Sequence, residues 1–239
     1  MGASELRFDD LTAPQLTEVQ RQILEHTESR RVDLAIEPMV TEAVAEAGVD
    51  DFAADDGVWD RVAAYAGAIE GDDGLTQLIR GTLRQRMVRL LRNRLSLTEL
   101  LKRHPEIESI PIEKPFIVVG MPRSGTTHLV NLLAADPWRR ALPYWESQEP
   151  LPIPGQGPDV HGVDPRYTRA KNEHAAMMVS APATAAMHDR FPEATEEEVE
   201  ILDLDFASYV LEWHARVPGW RDYYLGLDQV RHYGYMKKV

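Results

Sequence analysis

The sequence contains no cysteine, which excludes disulfides, thiolate metal sites and cysteine nucleophiles together and fits a reducing compartment, the cytoplasm being the expectation. Long apolar runs are missing as well: nothing approaches the ~20 residues that a bilayer span requires. The start, Met1 to Leu6, lacks the basic and apolar stretches of a secretory signal, and Leu6 stands where a myristoylation pattern has Ser or Thr. Basic charge is in short supply, with 26 Lys and Arg against 39 Asp and Glu for a formal net charge of -13. That balance opposes long-range attraction to nucleic acid or an anionic membrane, so a small-molecule or peptide partner is expected instead. Metal-ligand spacing is absent. His161, His174, His214 and His232 are scattered and read as surface or interface residues, and the acidic pairs Asp50-Asp51 and Asp55-Asp56 flank Gly48 and Gly57 as solvated turns without a calcium-loop pattern.

At 239 residues the chain is long enough for one large α/β domain or two small ones. From Leu11 to about Leu101 its apolar residues recur at helical spacing. The clearest helix uses Leu75, Leu78, Ile79, Leu83, Met87, Leu90 and Leu91, with Asp72 and Asp73 near its start, where negative charge suits the helix dipole. Arg80, Arg84, Arg86, Arg89, Arg92 and Arg94 share this helix and read as its solvated polar face rather than as a nucleic-acid surface. The pattern changes at His104-Pro105. Phe116-Ile117-Val118-Val119 is a short β-branched run of the kind that parallel sheets bury, followed by a glycine-containing loop and a helical segment from Thr127 to Ala135. A second, weaker strand is placed near Ala141 to Tyr144. Pro150 to Pro165 reads as an irregular loop, Asp164-Pro165 as a helix start, and Thr195-Glu196-Glu197-Glu198 as a capping box opening a helix to Trp213 that Pro218-Gly219 ends. Residues 1–112 thus form a helical N-terminal region, and residues 113–239 begin an α/β unit.

Gly120-Met121-Pro122-Arg123-Ser124-Gly125-Thr126-Thr127 has the glycine frame of a phosphate-binding loop, with Thr126 where nucleotide triphosphatases place lysine. In such a loop, backbone N–H groups converge on one point and the following helix adds the positive end of its dipole. The lysine that handles β and γ phosphates during phosphoryl transfer is missing, and Arg123 returns one cation to the loop.

These residues resemble the 5′-phosphosulfate loop of sulfotransferases that use 3′-phosphoadenylyl sulfate (PAPS). The likeness is to the Pro-Arg-Ser-Gly-Thr-Thr branch shared by many bacterial members and the tyrosylprotein sulfotransferases. It continues through Asn131-Leu132-Leu133-Ala134-Ala135-Asp136-Pro137 and Tyr144-Trp145-Glu146. The resemblance implies a P-loop-type α/β fold with a three-layer parallel-sheet core, PAPS as co-substrate without a metal, and a hydroxyl acceptor. It assigns cofactor binding to Pro122, Arg123, Ser124, Gly125, Thr126 and Thr127, and catalysis to Arg123 and to Glu146 as general base.

His188 is the alternative base, because Lys-type members of the family use a histidine, and Glu149 is a poorer one because it leads into prolines. The family's 3′-phosphate site should lie on a later strand and helix, and the chain reaches Val239 without a segment resembling it. A C-terminally truncated protein is therefore expected. Two other functions stay open at this point: a P-loop kinase or NTPase, against which the absent lysine argues, and a non-catalytic helical interaction module retaining a relic nucleotide loop.

Overall fold

The computed structural model describes residues 13, 15–54, 56–188 and 190–239. The chain start from Met1 to Leu6, the first helical position Leu11, and Asp55 lie outside the described residues. Twelve α-helices occur among the described residues: α1 Glu18–Glu28, α2 Ile36–Ala47, α3 Val58–Glu70, α4 Gln77–Arg103, α5 Thr126–Ala134, α6 Tyr144–Gln148, α7 Pro165–Ser180, α8 Pro182–Met187, α9 Val199–Leu202, α10 Val210–Trp213, α11 Pro218–Tyr224 and α12 Gln229–Met236. Local chemistry sets their ends. Thr17 and Gln20 exchange a capping box at the start of α1, Thr76 caps α4 by accepting from Ile79 N–H at 3.3 Å, and Gly48 stops α2 in the left-handed conformation at φ 70°. Asp164 and Pro165 start α7 as expected, the Asp164 carboxylate accepting from Arg166 N–H at 2.8 Å.

The core gathers both halves of the sequence. Met39, Ala43 and Ala47 of α2, Val62, Tyr65 and Ile69 of α3, and Leu83, Met87, Leu91 and Leu95 of α4 pack in one buried cluster with Leu204, Phe206, Leu211, Val217 and Trp220. The ring of Trp220, fully buried, lies 5.3 Å from that of Tyr65. Its N–H donates to Ser208 O at 3.2 Å, while the Tyr65 hydroxyl donates to Leu211 O at 3.0 Å. The two large polar rings therefore enter the core with their donors satisfied.

Two expectations about α4 and its surroundings are corrected. Its arginines are not a solvated face: Arg86, Arg92 and Arg94 are only 7%, 7% and 3% exposed. Arg86 pairs with Glu200 and Asp203, and Arg92 with Glu149 and Glu46. Arg94, together with Arg61 of α3, pairs with both Asp205 and Asp56. Asp56 is thus an ion-pair partner as well as part of a turn. His232, expected at the surface, is 1% exposed and shares a hydrogen bond with Asp205 Oδ2 at 2.6 Å. His214 is half-buried, and the desolvation of its imidazole drives its pKa well below the usual value.

The same pairing explains why no helix runs from Thr195 to Trp213. Residues two apart on a helix face away from each other, yet Asp203 and Asp205 must both turn to the arginines. The chain makes a 3-10 turn at Asp203–Asp205 and breaks at Phe206, in the left-handed region at φ 47°. Thr195 is drawn instead into an antiparallel bridge with Pro143.

Among the described residues, which are mostly helical, the parallel-sheet core is not found. A strand needs a neighbour to take its N–H and C=O groups. Phe116, Ile117 and Val119 have none, and are 71%, 76% and 86% exposed. The region near Ala141 to Tyr144 contributes only the single bridge at Pro143.

Asp205 takes the Arg61 and Arg94 guanidinium groups at 2.5 and 2.7 Å. Asp205→Ala leaves both cations short of a partner in the interior and is expected to cost about 3–5 kcal/mol of stability, read by denaturant unfolding. At Asp203, burial and the Glu200 charge outweigh Arg86 and push the carboxyl up to about 7. A folded pKa raised above the unfolded value of roughly 3.9 stabilises the fold below that value and is lost as pH rises through about 7. The melting temperature of Asp203→Asn relative to wild type should accordingly be higher at pH 8 than at pH 5.

Candidate functional site

The loop after Val119 turns back on itself through a hydrogen bond from Ser124 N–H to Met121 O at 3.1 Å. Two of its residues are left-handed, Arg123 at φ 67° and Gly125 at φ 93°. Gly125 tolerates that conformation freely, whereas at Arg123 it carries local strain of the sort that functional loops store. Gly125 then serves as N-cap of α5, accepting from Leu129 N–H at 3.0 Å, so the free N–H groups of the first turn open toward the loop. A Cβ at Gly120 would stand 2.8 Å from both Ser124 Oγ and Thr126 Cγ2. The first glycine of the frame is thus required by close approach, and the second by backbone conformation.

Pro122, Arg123, Ser124, Gly125 and Thr127 are exposed and Thr126 is partly covered. An incoming anion meets an open surface. Among the described residues Arg123 has no carboxylate partner; its Nη1 donates to Met187 O at 2.8 Å. A neutral carbonyl is a weaker partner than a phosphate or sulfonate oxygen, so an anion on the loop can take Arg123 from it.

Glu146 lies on α6, held from two directions. Behind it, Arg89 donates to Gln148 Oε1 at 2.6 Å, Asn93 Nδ2 donates to Gln148 O at 2.8 Å, and Arg92 pairs with Glu149 at 3.3 Å. Ahead of it, the entering segment is laced to residues 192–196: Tyr144 N–H donates to Ala194 O and Glu196 N–H to Leu142 O, both at 2.8 Å, and Trp145 N–H donates to Pro192 O at 3.2 Å. The Glu146 side chain is 23% exposed and paired with Arg140, itself 70% exposed. Glu149 is a structural carboxylate, clasped by Arg92 and Arg169, whose charges hold its pKa low against the effect of burial.

His188, the alternative base, sits next to Met187 and lies 3.3 Å from Glu196 Oε1. The hydrogen bond to Glu196 raises its pKa against partial burial. Its imidazole therefore carries the proton more readily near neutrality, which suits a cation better than a base. No hydrogen bond joins Arg123 to Glu146; each is tied to the same stretch, residues 187–196. Met187 went unnoticed in the sequence, and Asn131 and Glu196 were read there only within a family likeness and a capping box, because their roles arise from contacts with distant segments; Arg140, six residues from its partner Glu146, was not singled out. Among the described residues no group of three or more His, Asp or Glu side chains is placed to hold a metal ion, and no helix is long and apolar enough to cross a membrane.

Residues 115–239, the stretch that contains this loop and Glu146, match a family model described as "Sulfotransferase family". The chain belongs to the sulfotransferase family. Sulfotransferase STF1 from Mycobacterium tuberculosis H37Rv is similar in structure, with a TM-score of 0.71 and 26% identity over 87% of this chain and 57% of that one. STF9 from Mycobacterium avium superimposes with a TM-score of 0.72 at 21% identity, over 87% of this chain and 53% of that one, a likeness of fold alone. The chain thus spans a little over half the length of these relatives. No curated protein matches it.

Gly120→Ala should weaken binding of a 5′-phosphorylated adenosine nucleotide at least tenfold by forcing Ser124 and Thr126 outward. The melting temperature should stay within about 2 °C of wild type, because none of the loop is buried. Calorimetric titration and a thermal melt read the two effects separately.

Proposed function

We propose that this chain carries the donor loop and the general base of a PAPS-dependent sulfotransferase acting on a hydroxyl acceptor. The observation that carries the reading is the loop from Gly120 to Thr127: two left-handed residues, an α-helix N-terminus behind them and Arg123 bonded to a neutral carbonyl, inside the segment that matches the family. In the proposed step the acceptor oxygen attacks sulfur, and the bond from sulfur to the bridging phosphate oxygen breaks. The hydroxyl proton passes to the Glu146 carboxylate, and adenosine 3′,5′-bisphosphate leaves. Arg123 and the loop amides face the charge that grows on the leaving phosphate. Glu146 is freed by giving up Arg140, and so exposed a pair contributes no more than about 1 kcal/mol.

The working enzyme needs partner strands beside Phe116 to Val119 and a site for the donor's 3′-phosphate. The exposure of Phe116, Ile117 and Val119, together with the greater length of the solved relatives, supports the reading that further polypeptide supplies both. The acceptor is a small molecule or a peptide bearing a hydroxyl. Its pocket includes the loop from Pro150 to Pro165, and the compartment is the cytoplasm.

Transfer of labelled sulfonate from PAPS to a panel of hydroxyl acceptors tests the activity in the full-length gene product. Arg123→Ala should lower kcat/KM about 100- to 1000-fold with the melt unchanged, and Glu146→Gln should lower kcat about 100-fold or more. Wild-type rates in Glu146→Gln would remove Glu146 as base. Residues 1–239 alone should give negligible transfer, and robust PAPS-dependent turnover by that fragment would contradict the need for further strands.

A further inference from the structure

The loop and α5 are joined to the rest of the molecule by remarkably little for a unit that must hold a reacting group in place; no residue of α5 is buried, and Leu129 and Leu132 are 47% and 59% exposed. Among the described residues, two hydrogen bonds tie residues 120–134 to distant parts of the chain. One is Arg123 Nη1 to Met187 O at 2.8 Å; the other runs from Thr195 N–H to Asn131 Oδ1 at 3.2 Å. The first is given up when Arg123 turns to an anion. The second has no such competitor, since Asn131 lies in the second turn of α5, away from the free N–H groups at its start.

Asn131 is also well set for the task. Its Nδ2 donates to Thr127 O, one turn back, at 2.8 Å, which fixes the amide's orientation and leaves Oδ1 as the acceptor aimed at Thr195. Thr195 forms the bridge to Pro143, and its neighbours Ala194 and Glu196 bond Tyr144 and Leu142 on the segment that leads directly into Glu146. Hydrogen bonds and the backbone between them thus link the donor loop through α5, Asn131 and Thr195 to the segment that carries Glu146.

We infer that Asn131 is a positioning residue that holds the donor loop in register with Glu146 once Arg123 has left Met187 for the donor. The inference rests on the sulfotransferase reading above, but the clip itself can be tested without turnover. It assigns Asn131 no contact with donor or acceptor. Its loss should therefore reduce the rate of the bound complex and leave donor affinity nearly intact, the pattern expected when reacting groups are held but misplaced.

The test compares Asn131→Ala with Asn131→Asp, which keeps an oxygen toward Thr195. Amide hydrogen exchange at Thr195 in residues 1–239 reads the clip directly: exchange should speed up about tenfold or more in Asn131→Ala and return toward wild type in Asn131→Asp. In the full-length enzyme, kcat should fall about 10- to 100-fold in Asn131→Ala, with the Kd for adenosine 3′,5′-bisphosphate changed less than about threefold, and Asn131→Asp should recover most of kcat. Unchanged Thr195 exchange in Asn131→Ala overturns the clip. Faster exchange with wild-type kcat overturns its positioning role, as does a fall in donor affinity that matches the fall in rate. Should the wild-type enzyme show no sulfonate transfer, the sulfotransferase reading fails and the positioning role with it, while the exchange result still decides whether the clip exists.

Discussion

Three arginines of α4 are buried, and the rest of the structure is arranged to keep them paired. Taking a guanidinium out of water costs several kcal/mol unless a carboxylate comes with it, and here the carboxylates come from far along the chain: Glu149, Glu200, Asp203 and Asp205. Arg61 on α3 and His232 on α12 join the Asp205 end of the network. Such pairs add little net stability over well-packed apolar residues, but a partner left behind is costly. They therefore act mainly by penalising other arrangements of the polypeptide after residue 140, where every helix but α7 is short.

That constraint reaches the chemistry through α6. Gln148 and Glu149 are fixed to Arg89, Asn93 and Arg92, and Glu146 lies within three residues of both. Glu146, the proposed base, thus sits on the rigid side of the molecule. The loop from Gly120 to Thr127 sits on the compliant side, exposed and strained at Arg123, and among the described residues two hydrogen bonds tie it and α5 to distant parts of the chain. This division suits a site that must accept a large anionic co-substrate before closing on it, since the groups that move are those with the least packing to lose.

The loop, α4, α5 and the start of α7 were legible in the sequence because each depends on local signals: a glycine frame, a 3.6-residue apolar stripe, an Asp-Pro cap. Phe116 to Val119 has the composition of a buried strand and was read as one, but composition cannot supply the neighbour that a strand requires. The α4 arginines were misread for a related reason. Their spacing is that of an ordinary solvated face, and nothing near them in sequence announces Glu200 and Asp203 as partners of Arg86, or Asp205 as a partner of Arg94, all more than 100 residues away. Those same partners broke the helix anticipated after Thr195, where inward-facing Asp203 and Asp205 prevailed over a sound capping pattern. Asn131 entered the sequence reading only as part of the family likeness, being an ordinary polar residue on a short helix, and Met187 gave no signal, since it contributes only its backbone oxygen.

The central claim is that the Gly120 to Thr127 loop, lacking the triphosphate-handling lysine, is built for an adenosine 5′-phosphosulfate and for the bisphosphate that remains after transfer. Calorimetric titration of the protein with adenosine 3′,5′-bisphosphate and, separately, with ATP and magnesium tests it most directly. Saturable binding of adenosine 3′,5′-bisphosphate, at least tenfold tighter than that of ATP, is the predicted result. Binding of ATP with magnesium and none of the bisphosphate would contradict it.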